Sequence, residues 1–147
     1  MTGFTVSLVM QAAMLSSGAQ PYADAYHAAQ ANNQPLVVLV GTEWCPGCKT
    51  MKQGVMPRLF GRGKMRNVQF TQVNSDEDWN LASKLLQGNT IPQLVVFSKG
   101  ADGGWQREQL TGAKTEAEVE AAIERAIEAN SKTADRVTVA KPVTETK

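Results

Sequence analysis

The chain has 147 residues, 42% of them hydrophobic and 20% charged, with 15 basic side chains against 14 acidic ones. That balance describes one globular domain and excludes a chain disordered throughout; a net charge of +1 gives no general pull toward nucleic acid, and no apolar run approaches the ~18 residues of a spanning helix, so stable membrane insertion is not expected. Two cysteines and one histidine exclude a disulfide-dense scaffold and a self-contained Cys/His zinc site, so neither a metal nor a cofactor is expected.

Residues 1–20 carry no charged side chain. Ser17-Gly18-Ala19 offers small residues for cleavage, but a positive n-region is missing. The segment reads as an atypical export signal or as a plain N-terminal extension. The compartment therefore stays open between cytoplasmic and, if residues 1–20 act as a signal, exported to the periplasm or another extracytoplasmic space.

Pro21 to Asn32 is predicted as a helix, with Tyr22, Tyr26 and Ala29 on one face and Pro21 suited to the first turn. Pro35 then opens the apolar run Leu36-Val37-Val38-Leu39-Val40, which predicts a strand buried on both faces. After Glu43-Trp44-Cys45-Pro46-Gly47-Cys48-Lys49, helical spacing resumes at Met51, Val55 and Leu59. Pro57 should kink or end that helix, and Gly61 and Gly63 close it. Val68 to Val73 is a second strand. Ser75-x-x-Asp78 has the form of a capping box, the helix after it turns Leu81, Ala82, Leu85 and Leu86 inward, and Gly88 is a natural C-cap.

Thr90-Ile91-Pro92 breaks the chain before a third strand, Gln93 to Ser98. Gly100 to Gly104 turns into a fourth strand, Trp105 to Thr111. Thr115-x-x-Glu118 is another capping box, followed by the stripe Val119, Ala122, Ile123, Ala126 and Ile127 of a last helix. Residues 131–147 have too little apolar surface to offset ordering and are expected as a flexible tail. The divisions are then 1–20, a domain at 21–130, and 131–147. A helix followed by the order β-α-β-α-β-β-α gives an α/β fold with a mixed central sheet flanked by helices, the N-terminal helix being an extra one.

The two cysteines carry the chemistry. Cys45 and Cys48 sit three positions apart, at the junction of a buried strand and a helix. Unsatisfied N–H groups and the macrodipole at a helix start favour a thiolate. The i, i+3 spacing brings both sulfurs within bonding range. An outer thiol, Cys45, can then attack a disulfide and an inner one, Cys48, can resolve the mixed disulfide. A structural disulfide, a metal site and two inert packed cysteines are the alternatives. The first stabilises little across so short a loop, and the second lacks ligands beyond His27 and carboxylates.

Trp44-Cys45-Pro46-Gly47-Cys48-Lys49, together with Thr90-Ile91-Pro92 before a strand and Gly112 before the last helix, resembles the thioredoxin superfamily over Pro21 to Asn130. The order of helix, strand and WCPGCK looks more like its thioredoxin-like or disulfide-isomerase-like branch than like thioredoxin itself. The resemblance implies a thioredoxin fold, a cis Ile91–Pro92 bond lying against the cysteines, and backbone hydrogen bonds from Ile91 to an extended substrate. Trp44, Pro46, Gly47, Ile91 and Pro92 would form the substrate surface. The implied activity is that of a monomeric protein-disulfide oxidoreductase, its pair recycled by a separate reductant or oxidant. Three features depart from the family. Pro46 precedes Gly47 between the cysteines, where the usual thioredoxin motif has glycine before proline. Leu39 stands where thioredoxins carry a buried aspartate, and Gln72 where they carry its lysine partner. The inner thiol must therefore lose its proton another way, through water or Glu43. The same departure supports a second reading, a thioredoxin-like binding module without redox turnover.

Trp79 and Trp105 are expected as packing residues, and His27 as a surface or packing residue. The basic set Lys49, Lys52, Arg58, Arg62, Lys64 and Arg66 is expected as a solvated face, with a field favouring the Cys45 thiolate as the sharper reading.

Overall fold

The apolar run behind Pro35 becomes the centre of the sheet. In the computed structural model, which describes residues 20–139, β1 (Leu36–Gly41) is buried at every position. Its side chains alternate between two cores, as the period of a strand requires. Val37 and Leu39 share one core with Met56, Leu59, Val119 and Ile123. Leu36, Val38 and Val40 share the other with Ala25, Ala29, Ala82 and Leu85. β1 pairs in parallel with β2 (Gln69–Asn74) and antiparallel with β3 (Gln93–Lys99), which pairs antiparallel with β4 (Trp105–Thr111). The order β2-β1-β3-β4 is the mixed sheet that the element order implies.

α1 (Tyr22–Ala31) and α4 (Trp79–Leu85) cover one face. The other is covered by α3 (Met56–Gly61), by α5 (Glu116–Val139) and by the turn that precedes α3. α1 approaches the sheet through Ala25 and Ala29, both fully buried, while Tyr26 remains 36% exposed. Of the expected stripe, Ala29 is buried and Tyr22 packs half-buried against this core, while Tyr26 stays outside it and Ala25 takes its place. The helix after the cysteines does not end at Pro57. α2 (Pro46–Thr50) runs through one π-helical stretch, Met51–Val55, into α3, with the Met56 N–H bonded to the Met51 carbonyl. A proline lacks an N–H and crowds the carbonyl four residues back. The widened turn just ahead of Pro57 accommodates both without a break.

Two caps differ from the expectation. The Ser75 hydroxyl lies 3.4 Å from the Gly41 carbonyl, and Asp78 caps α4 by accepting the Leu81 N–H at 3.0 Å. An Asn74 side-chain turn (Asp76 N–H to Oδ1, 3.0 Å) occupies the residues in which that box would have started a helix. α4 ends at Leu85, and Gly88, at φ +73°, serves the turn beyond it instead of capping the helix. At α5 the box forms as written. Glu118 accepts from the Thr115 N–H at 2.8 Å, and the Glu118 N–H reaches the Thr115 hydroxyl at 3.3 Å. The Thr115 N–H and then the Thr115 hydroxyl, which donates at 2.9 Å, hold the Glu118 carboxyl below its ordinary range.

α5 also corrects the tail. It continues to Val139, so residues 131–139 are helical, including Val137-Thr138-Val139. Polar bonds fasten it where the apolar stripe has ended. Asn130 Oδ1 accepts the Lys99 N–H at 2.8 Å, its Nδ2 donates to the Asn33 carbonyl at 3.0 Å, and Asn33 Nδ2 returns a bond to the Asn130 carbonyl at 3.2 Å. The buried Thr133 hydroxyl donates to the Gly100 carbonyl at 3.0 Å. The expected N-terminal extension or signal and the last eight positions of the tail lie outside the described residues, apart from Gln20. Among the described residues no helix is long and apolar enough to cross a membrane, and no cluster of three His, Cys, Asp or Glu side chains is placed to hold a metal.

Candidate active site

Cys45 and Cys48 meet where the loop after β1 becomes α2. Cys45 is the N-cap, with its Sγ accepting the Cys48 N–H at 3.2 Å, and Pro46 takes the first helical position, where no donor is lost. The two are joined by a disulfide with Cα atoms 5.2 Å apart. Both are 5% exposed, so in this oxidised state exposure does not separate an outer from an inner cysteine. Their surroundings do. Cys45 Sγ lies 3.9 Å from the Ile91 carbonyl oxygen, whereas Cys48 lines an open cavity of about 210 Å³ shared by polar and apolar side chains.

The Ile91–Pro92 bond is cis. Pro92 is buried and Ile91 half-buried, and Ile91 makes no backbone–backbone hydrogen bond among the described residues. Gly47 allows Pro92 to close on the cysteine turn, since a β-carbon there would stand 3.1 Å from Pro92 Cδ. Gly112, at φ +83°, turns the chain and donates its N–H to the Pro92 carbonyl at 2.8 Å. The structure thus brings Cys45, Cys48, Gly47, Ile91 and Pro92 together. Pro46 is exposed beside them. Trp44 is 66% exposed and its indole N–H is fixed by Asp76 at 2.8 Å.

Leu39 and Gln72 are register partners on β1 and β2, and both line the cavity beside Cys48. No ionisable side chain stands at either position. The basic side chains are largely matched by acids. Lys52 pairs with Glu43 at 2.6 Å, Arg58 and Arg62 with Glu116 at 3.0 and 3.4 Å, and Arg62 with Glu120 at 3.3 Å. Hydrogen bonds and charge from Glu120 raise the Lys64 ammonium above its ordinary value. That pairing favours the solvated-face reading over a broad field at Cys45. Trp105 packs half-buried, as expected, under the Lys99 ammonium at 4.2 Å. Trp79 does not. It is 62% exposed, since it begins α4 directly after the Asp78 cap. His27 is exposed on α1, edge-on to Tyr26.

Two site residues carried no motif. Gln93 follows Pro92 and is fully buried; its only signal was a polar residue leading an apolar strand. Gly41 ends β1, and a β-carbon there would sit 2.6 Å from Cys48 Sγ. Gly41→Ala should therefore lower the stability of the oxidised protein by about 1–3 kcal/mol, the usual cost of overpacking. Denaturant unfolding measures it. Gly54→Ala is the control, because nothing lies within 4 Å of its β-carbon position; equal losses at both sites would show that the Cys48 contact is not the cause.

Comparison with known proteins places the same geometry in a wider set. The family model described as Thioredoxin matches residues 20–125. Among solved structures the chain is similar to a thioredoxin from Thermus thermophilus, at 25% identity and a TM-score of 0.61, covering 75% of this chain and 87% of that one. It is similar in fold to Fasciola hepatica thioredoxin (24% identity, TM-score 0.52, 71% and 92% covered) and to Trichomonas vaginalis thioredoxin (20%, 0.56, 73% and 92%). No curated protein sequence matches the chain.

Proposed function

The chain belongs to the thioredoxin family, and from that premise we propose that it is a protein-disulfide oxidoreductase working through Cys45 and Cys48. The observation that carries this reading is the placement of a disulfide at a helix start, with Cys45 Sγ accepting a helix N–H at 3.2 Å. That donor and the macrodipole favour the Cys45 thiolate once the pair is reduced. The thiolate attacks one sulfur of a substrate disulfide. The substrate S–S bond breaks, a mixed disulfide forms on Cys45, and the departing substrate thiolate takes up a proton. Cys48 then attacks Cys45 Sγ and releases the second substrate sulfur. The product is the Cys45–Cys48 disulfide, and two electrons have passed to the substrate. A dithiol reductant restores the pair, or a disulfide oxidant drives the cycle in reverse.

Ile91 supports an extended protein substrate. Among the described residues its backbone enters no backbone–backbone bond of the fold, and its carbonyl lies 3.9 Å from Cys45 Sγ, so a strand laid along it would present its disulfide to the nucleophile. Trp44, Pro46, Gly47 and Pro92 border that position. The test is reduction of a small disulfide-bonded protein with a dithiol as electron source. Catalysis above the dithiol alone is expected, and Cys45→Ser should return the rate to background. The second reading, a binding module without turnover, draws on Leu39 in place of an acid. It is favoured if the native protein binds partners but does not accelerate reduction.

A further inference from the structure

The second half of this reaction needs Cys48 as a thiolate, yet Cys48 is 5% exposed and burial disfavours a thiolate. Its neighbours on the sheet, Leu39 and Gln72, hold no charge. The charges that reach it line the 210 Å³ cavity: Lys52 from the helical segment, Glu43 from the loop after β1, and Glu77 from the loop after β2. Lys52 is the single cation among them. It lies four residues after Cys48, on the same helical face, and its Nζ is held by Glu43 Oε1 at 2.6 Å. Lys49 belongs to a different surface, beside Gln53 and Arg58. Asp76 is engaged by the Trp44 indole, and Glu77 accepts from the Asn74 amide at 3.1 Å. Gly41, the last residue of β1, and Thr42 after it add no charge. The Thr42 hydroxyl is nonetheless the one buried side-chain polar atom left without a partner among the described residues, and it lines the same cavity. A space of this volume, open to solvent and lined by an unpartnered hydroxyl and by Gln72 and Asn74, has room and partners for water.

We infer that Lys52 activates Cys48: lining the same cavity as the thiol, its ammonium stabilises the resolving thiolate, and Glu43 is the positioning residue that keeps it there. The Cys48 proton leaves through cavity water to solvent. The thiolate then forms the Cys45–Cys48 bond while the bond from Cys45 to substrate breaks, and the electron pair departs on the substrate sulfur, which is protonated. No further oxidant enters the step.

The experiment titrates Cys48 by ultraviolet thiolate absorbance in reduced Cys45→Ser protein, alone and with Lys52→Met, Lys52→Arg or Glu43→Gln added. Removing a cation disfavours the anion, so Lys52→Met should raise the midpoint by on the order of one pH unit, the size expected of a single charge through partly solvated space. Lys52→Arg should restore most of it. A companion measurement keeps both cysteines. Release of substrate from a preformed mixed disulfide should shift its pH profile upward with Lys52→Met by the same amount. A midpoint unmoved by Lys52→Met overturns the inference. So does a rise with Glu43→Gln larger than that with Lys52→Met, which would make the carboxylate the proton acceptor. The inference rests on the exchange reading, but the titration uses no substrate. A protein that shows the Lys52 shift yet reduces no disulfide loses the exchange reading alone.

Discussion

Replacing Cys48 with serine should leave the protein covalently bound to its substrate. Attack by Cys45 needs only its own thiolate and the donor at the helix start, and the Cys48 backbone N–H that bonds Cys45 Sγ survives the substitution. Resolution needs a second sulfur already in place, with Cα atoms 5.2 Å apart. A thiol held at that range acts at an effective concentration far above that of any free thiol in solution, so turnover should fall on the order of a hundredfold or more. Non-reducing electrophoresis after incubation with an oxidised protein substrate should show an adduct that a dithiol releases. Cys45→Ser should show none. Equal trapping by both variants would reverse or abolish the assignment of roles.

Gln93→Leu should have the largest effect on stability. The Gln93 side chain is fully buried and makes four bonds. Its Nε2 donates to the carbonyls of Gln87 and Thr90 at 2.8 and 2.7 Å, and its Oε1 accepts the Gln87 N–H at 2.9 Å and the Gln109 amide. Together they pin the loop that leads into Ile91. Leucine fits the volume but leaves these groups without their partner, at a cost of about 2–4 kcal/mol. Urea unfolding checks the loss. The kinetic signature is a raised KM for a protein substrate that must lie along Ile91, with reduction of a small disulfide reagent little changed. A loss below about 1 kcal/mol would mean that water replaces the network.

Where burial is built from apolar repetition, the chain was readable. β1 and β3 show as unbroken runs, and the last helix as a regular stripe closed by the Thr115–Glu118 box. The cysteine pair was readable for a related reason, since its chemistry depends on local spacing at a strand–helix junction. What escaped depends on side chains meeting across the fold. The stretch around Ser75 has the letters of a cap, but Asn74 competes for its backbone. The far half of α5 is held by Asn130 and Thr133 reaching distant carbonyls, which no periodicity reveals. Gly41 and Lys52 matter only because Cys48 lies beside them.

The bonds between Asn33 and Asn130 join residues 97 positions apart, and they sit before the start of β1, whereas the sulfurs follow its end. In polymer terms the domain is a large ring shut without a covalent link, while the disulfide closes only a miniature one inside it. Cutting so small a ring restores little freedom to the unfolded chain. The covalent bond that the chemistry makes and breaks is therefore topologically idle, and the protein can cycle between oxidised and reduced forms without loosening the closure between Asn33 and Asn130.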